Sequence, residues 1–456
     1  MLDDTIAAIA TALGEGGLAV IRISGPKALD VADRAFAPAG KGSVKPSAAA
    51  THTIHFGHVM REGQIVDEAL LAVMRSPRTF TREDVVEITC HGGILAAKMV
   101  LDSVLANGAR LAEPGEFTRR AFLSGRIDLA QAEAVADVIH SRTDLALRAA
   151  NEQLAGKLSQ RINKLRDEML ETLAHVEAHI DFPDDDIAVD TRDQLVSRLS
   201  RGMVFMDELL RTAHEGQILR HGIRAAIIGR PNAGKSSLLN QLLGHDRAIV
   251  SAIPGTTRDT IAETANIRGL PVVFIDTAGL CEARDEIELE GVRRSRETLQ
   301  QAEFILHVFD ASEPLTEADE RYLSEFADKQ RILVRNKVDL PARLQFASSL
   351  KGPVVEVSCV TGQGIEPLKD IMKELAWSGE IRAEMLQVMI NSRHQDALNR
   401  ARVAVQRTLA ALAENQTLEL VALDLRIAVN AVGEIVGQTT TEDLLDFIFR
   451  QFCIGK

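Results

Sequence analysis

One octapeptide constrains this chain more than any other segment: Gly229-Arg230-Pro231-Asn232-Ala233-Gly234-Lys235-Ser236, set directly after the apolar run Ile223–Ile228. Glycines in such a loop let backbone N–H groups turn toward phosphate oxygens. The lysine neutralises the β and γ phosphates, and the serine hydroxyl faces Mg²⁺. A buried strand leading into this loop commits the segment to an open, doubly wound α/β sheet. Three more segments follow in order: Gly255-Thr256-Thr257-Arg258-Asp259, Asp276-Thr277-Ala278-Gly279 and Asn336-Lys337-Val338-Asp339. A carboxylate at Asp339 accepts from the ring N–H and the exocyclic amine of guanine, a donor pair that adenine lacks. Together the four segments predict a GTP-hydrolysing module.

Within that module, Asn232, Ala233, Gly234, Lys235, Ser236 and Ser237 are expected around the phosphates. The stretch Ser251, Ala252, Ile253, Pro254, Gly255, Thr256 and Thr257 reads as a switch loop, with Thr257 as a second Mg²⁺ ligand beside Ser236. Asp276 is expected to hold the metal's water shell; Thr277 and Ala278 lead to Gly279, whose N–H meets the γ-phosphate. Asn336, Lys337, Asp339, Ser358 and Cys359 frame the base.

Two departures from a Ras-like site stand out. Leu280 follows Gly279 and cannot orient the attacking water as a glutamine does. Asn232 offers a side-chain oxygen to a monovalent cation near the phosphates, where an arginine finger otherwise neutralises developing charge; the alternative is a side chain that only stabilises the loop. Glu282 is the nearest carboxylate able to position water, against the plainer reading of a solvated residue in the acidic run Glu282–Glu290.

At 456 residues the chain predicts about three domains. It is 46% hydrophobic and 26% charged, enough for an ordinary core in each. The cysteines Cys90, Cys281, Cys359 and Cys453 form no C-x-x-C pair, which suits a reducing cytosol. Ile6–Leu13 lacks the cationic flank of a signal peptide, and no apolar run reaches the roughly 18 residues of a membrane span. The expectation is a cytoplasmic protein. A net charge of −13 weighs against a generic polyanion binder. Arg119, Arg120 and Arg126, like Arg293, Arg294 and Arg296, read as solvated helix surface or as local basic patches.

Residues 1 to about 118 read as α/β, with strands at Thr5–Ala10, Leu18–Ile23, Thr53–Val59, Ile65–Met74 and Val85–Cys90, and a helix after His91-Gly92-Gly93. The period then changes. Leu154, Leu158, Ile162, Leu165, Met169, Leu173, Val176 and Ile180 predict one long amphipathic helix, stopped before Pro183. A second helix follows with Leu195, Leu199, Met203, Met206, Leu210 and Ala213 inward. Strands at Ile223–Ile228, Val272–Ile275, Phe304–Phe309, Ile332–Arg335 and Val354–Val357 predict a parallel sheet, and the tail returns to helix: one with Leu398, Ala401, Val405, Leu409 and Leu412 on its inner face, then Leu418–Val436 and Leu444–Phe452. Residues 119–215 and 380–456 are expected to share one helical domain, with the GTPase inserted between its halves at 216–379.

The flanks carry further motifs: Arg22-Ile23-Ser24-Gly25, Thr81-Arg82-Glu83-Asp84, His91-Gly92-Gly93, Pro114-Gly115-Glu116-Phe117-Thr118, Asp128-Leu129-Ala130-Gln131 and the terminal Phe452-Cys453-Ile454-Gly455-Lys456. Over essentially its full length the chain resembles the MnmE (TrmE) family of tRNA-modification GTPases. The resemblance implies a folate-binding N-terminal domain (1–118) that makes a homodimer, a helical domain and an inserted Ras-like GTPase activated by K⁺. It implies that, with an FAD-dependent partner of the MnmG family, such a protein installs an aminomethyl or carboxymethylaminomethyl group at carbon five of the tRNA wobble uridine. A 5-formyl- or methylene-tetrahydrofolate is the implied one-carbon donor.

By motif, the folate contacts fall on Arg22, Glu87, Arg126 and Lys456. Arg126 replaces the family's usual lysine, which keeps the charge and changes the donor geometry; Arg82 stands where glycine is usual. The resemblance assigns K⁺ to Asn232, the Ser251 and Ile253 carbonyls and Thr256, and Mg²⁺ to Ser236 and Thr257. It also makes Glu282 the water-orienting residue and Cys453 a functional cysteine, where the sequence alone reads Cys453 as buried filler. The rival reading is a ribosome-assembly GTPase acting as an RNA-binding switch. Such proteins usually carry a basic appendage, and this chain is acidic.

Overall fold

The computed structural model describes residues 3–181, 192–244, 263–275, 301–346, 350, 352–377 and 383–456. The chain falls into two compact units. One combines Met1–Ala136, Leu154–Ser200 and Arg400–Lys456; the other combines Asp137–Gln153 and Arg201–Asn399.

The first unit opens with β1 (Ile6–Ile9), β2 (Leu18–Ser24), α1 (Ala28–Ala35), β3 (Phe36–Pro38), β4 (Thr53–Arg61), β5 (Gln64–Met74), β6 (Val85–His91), α2 (Ile94–Ala106) and β7 (Arg110–Leu111). The strands form one sheet in the order β3-β4-β5-β6-β2-β1-β7. Strand alternation divides its faces. Ile21, Ile23, Leu71, Val73, Val86 and Ile88 point into a core shared with Val31 of α1 and Val100 and Val104 of α2. The other face keeps Ile54, Phe56 and Leu70 exposed at 69%, 51% and 46%. Arg22 of β2 lies opposite Glu87 of β6 on that outer face.

The chain then turns helical through α3 (Glu116–Leu123), α4 (Leu129–His140), α5 (Asp144–Leu154), α6 (Lys157–Asp181), α7 (Arg192–Arg211) and α8 (Ala213–His221). The expected unbroken helix through Leu154 is two helices. Gly156 adopts φ +81° between α5 and α6, a left-handed conformation that ends a helix. From Leu158 onward the predicted stripe is correct: Leu158, Ile162, Leu165, Met169, Leu173 and Val176 are buried, and α6 packs along the helix Leu418–Val436. In α7, Leu209 is buried where Leu210 was expected, and Ala213 already belongs to α8. The last helix is Glu442–Phe449, capped by the Thr441 side chain accepting from the Leu444 N–H.

The basic group near α3 is not one solvated surface: Arg126 is exposed and Arg119 partly buried, but Arg120 is sealed in. Arg120 is only 2% exposed. Its Nη2 donates to Asp4 Oδ1 at 2.7 Å and Glu116 Oε1 at 2.9 Å, and its Nη1 to Glu83 Oε1 at 3.1 Å. Burial alone would raise the Glu116 carboxyl, but Arg110, the Glu113 N–H and Arg120 overcome it and hold that group below its usual range. Arg119 pairs with Asp446 at 2.9 Å. Arg293, Arg294 and Arg296 lie outside the described residues, as does Pro183.

The second unit holds β8 (Ile223–Ile228), α9 (Lys235–Leu243), β9 (Glu263–Ile267), β10 (Leu270–Phe274), β11 (Phe304–Asp310), β12 (Gln330–Asn336) and β13 (Val354–Glu356). The sheet order is β13-β12-β11-β8-β10-β9. It is parallel except at its edge, where β9 runs antiparallel to β10. The purely parallel expectation missed this hairpin because β9 and β10 are only five residues each, joined by the two-residue turn Arg268-Gly269. The parallel strands β8, β11, β12 and β13 place their C-terminal ends along one edge, where ligands bind in open α/β sheets.

Removing the Arg120 guanidinium would leave three carboxylates without their common partner. Arg120→Ala is expected to cost about 3–5 kcal/mol, read as a lower urea midpoint for the first unit. An unchanged midpoint would contradict the role given to this network.

Candidate functional site

At the sheet edge the loop after β8 curls back over the start of α9. Gly234 has φ +96°, and a Cβ there would lie 2.1 Å from Asn336 Nδ2. Only glycine lets the loop approach the end of β12 so closely. Asn336, 2% exposed, donates from Nδ2 to the Ala233 carbonyl at 2.9 Å. Its Oδ1 accepts from the Cys359 N–H at 3.3 Å. One amide side chain thus ties the phosphate loop to the segment after β13. Gln241 of α9 adds a second tie, donating to the Cys359 carbonyl at 2.8 Å.

Lys235 is held by the loop's own carbonyls, Gly229 O at 3.0 Å and Arg230 O at 2.7 Å. Burial pushes its ammonium below the ordinary lysine range. Asn232, at φ +62°, and Ser236 and Ser237 are exposed on the rim. Asp339 accepts from the buried Ser358 hydroxyl at 2.6 Å, which fixes the carboxylate's direction. Lys337 Nζ meets Asp310 Oδ2 at 2.6 Å. The sequence-predicted residues 232–237, 336, 337, 339, 358 and 359 therefore converge. Ser251, Ala252, Ile253, Pro254, Gly255, Thr256, Thr257, Asp276, Thr277, Ala278, Gly279 and Glu282 lie outside the described residues.

A second constellation sits on the outer face of the first unit's sheet. Arg22 Nε donates to Glu87 Oε1 at 2.8 Å across β2 and β6. Its Nη1 reaches the Gly455 carbonyl at 3.4 Å, which brings the chain terminus to the sheet. The terminus is also pinned by an antiparallel bridge between Ile454 and Pro114. Lys456 is half-buried beside Arg22, Glu87 and Cys453. Burial and then the Arg22 charge lower its ammonium pKa, while Glu87 and Cys453 oppose them. Cys453 itself is exposed, not buried filler. Arg126 lies over the Phe80 ring, 4.9 Å from its centroid. Arg22 lies over Phe117 at 5.7 Å. Both rings belong to one apolar cluster with Ile6, Ala8 and Ala112, so Arg22 and Arg126 rest on the same cluster, and Glu87 and Lys456 lie beside Arg22. Sequence reasoning missed Phe80 and Phe117 as part of it, because nothing local marks a phenylalanine in a loop or on α3 as the seat of a distant arginine.

Gly234→Ala is expected to displace the phosphate loop from Asn336 and weaken guanine-nucleotide binding by about tenfold or more, since overpacking against a fixed side chain costs about 1–3 kcal/mol. Titration with a fluorescent GDP measures this; wild-type affinity would show that the contact does not set the loop.

Two family models match the chain: "GTP-binding protein TrmE N-terminus" over residues 5–126 and "MnmE helical domain" over 129–453. The curated tRNA modification GTPase MnmE of Geobacillus kaustophilus is 48% identical, with 99% of each chain covered. That of Geobacter sulfurreducens is 48% identical, with 100% of each chain covered. Among solved structures, the G domain of the T. maritima FeoB iron transporter shares 26% identity over 34% of this chain and 99% of that one, with a TM-score of 0.25. The family follows from the sequence relatives and the two models: this chain belongs to the MnmE family of tRNA modification GTPases.

Proposed function

We propose that this GTPase is K⁺-activated and acts with an FAD-dependent partner of the MnmG family on tRNA. Together they install an aminomethyl or carboxymethylaminomethyl group at carbon five of the wobble uridine. The observation that carries the reading is the coexistence in one chain of a guanine-nucleotide site and a second cradle, Arg22, Glu87, Arg126 and Lys456, suited to a folate. The donor set fits that group. Glu87 is a carboxylate able to accept from the paired N–H groups of a pterin, and the cations suit the tail carboxylates. Bound there, a 5-formyl- or methylene-tetrahydrofolate supplies the one-carbon unit. Cys453, exposed beside Lys456, brings a thiol to that cradle.

In the nucleotide site, Lys235 supplies positive charge at the β and γ phosphates and Asp339 selects guanine. Ser236 and Thr257 suit Mg²⁺. Asn232 with the Ser251 and Ile253 carbonyls and Thr256 suits K⁺, and Glu282 is assigned to orienting water. The working domains are taken as 1–118, the discontinuous 119–215 plus 380–456, and 216–379. The exposed Ile54, Phe56 and Leu70 continue the sheet face that carries Arg22 and Glu87, which favours this face for homodimerisation. Among the described residues no helix is long and apolar enough to cross a membrane, and the protein is placed in the cytoplasm by this reading.

Two measurements test the nucleotide half. GTP hydrolysis is expected to run about tenfold or more faster in KCl than in NaCl; equal rates remove the K⁺ assignment. Asp339→Asn replaces an acceptor with an amide. It should weaken GDP binding about a hundredfold and favour xanthosine diphosphate, whose carbonyl faces the new N–H. Unchanged base preference would take Asp339 out of the site.

A further inference from the structure

The loop joining β5 to β6 is braced more heavily than its length requires. The Ser76 N–H donates to Asp84 Oδ1 at 2.9 Å, and Thr79 Oγ1 donates to the Glu83 carbonyl at 2.7 Å. Thr81 and Ser24 share a hydroxyl hydrogen bond of 2.7 Å. The Glu83 carboxylate then accepts from Ser24 Oγ at 2.7 Å and from buried Arg120 at 3.1 Å. These ties fix the backbone on both sides of Phe80 and Arg82.

Both side chains act on the same neighbouring turn. Arg82 Nη1 donates to the Ser124 carbonyl at 2.8 Å, just after α3. Phe80 carries the Arg126 guanidinium on its face at 4.9 Å and is itself seated against the cluster that includes the fully buried Phe117. Phe117 in turn lies under Arg22. The two guanidinium groups of the folate cradle therefore rest on two rings of one cluster. They differ in one respect. Arg22 is already paired with Glu87, whereas Arg126 is exposed and meets no carboxylate within ion-pair distance among the described residues.

A long side chain loses rotamer freedom when it binds an anion, and a ring that already holds it reduces that loss. We infer that Phe80 is a positioning residue that presets the Arg126 guanidinium for a carboxylate of the folate tail, with Arg82 anchoring the turn beneath it. The inference rests on the folate reading above. It adds which residue aims Arg126 at the tail.

Calorimetric titration of the full-length protein with 5-formyltetrahydrofolate tests this. Phe80→Leu is expected to weaken binding about three- to tenfold, and Phe80→Tyr, which keeps the ring, to stay near wild type. In an Arg126→Ala background, Phe80→Leu should bring no further loss. The tail-less 5-formyl-6-methyltetrahydropterin, which carries no carboxylate, should bind Phe80→Leu as well as it binds wild type. Wild-type affinity in Phe80→Leu, a loss that persists without Arg126, or an equal loss with the tail-less probe would each overturn the positioning role. Wild-type protein that binds neither probe would overturn the folate reading itself.

Discussion

The nucleotide site depends on the side-chain amide of Asn336. It donates to the Ala233 carbonyl and accepts from the Cys359 N–H, so a single buried group sets the distance between phosphate loop and base loop. The arrangement works because β12 is parallel to β11, and β11 to β8, so that the loops leaving all three strands emerge at one edge. A buried amide left without these partners would carry its full desolvation cost, which makes the geometry self-enforcing. The close approach at Gly234 is the steric counterpart of that hydrogen bond.

The first unit builds its cradle by a different device. A strand pair sets Arg22 against Glu87 on the sheet's outer face, and the chain's last residues return to the same place through Gly455 and the Ile454–Pro114 bridge. The buried Arg120 network underlies it, joining Asp4, Glu83 and Glu116 from three separate parts of the chain. Aromatic faces lie under both Arg22 and Arg126, and Arg22 is also paired with the Glu87 carboxylate.

Much of this was legible in the sequence where the signal is contiguous. The phosphate loop follows a strand, Asn336 and Asp339 meet that loop and the Ser358–Cys359 segment, and the buried stripe of α6 keeps a helical period from Leu158 onward. What escaped was long-range. Arg120 resembles any arginine on a short helix; its burial depends on Asp4, 116 residues away. Gly156 breaks a pattern that apolar spacing alone runs straight through, because the stripe continues in phase on the far side. The edge hairpin β9–β10 hides in a segment too short to show alternation. Phe80 and Phe117 carry no local mark of the arginines they hold.

The most direct test of the account is mass spectrometry of wobble nucleosides in bulk tRNA, from a deletion strain and from the same strain carrying this gene. The account predicts that the carbon-five-modified uridine disappears in the deletion and returns with the gene. Unchanged modified uridine in the deletion strain would contradict it.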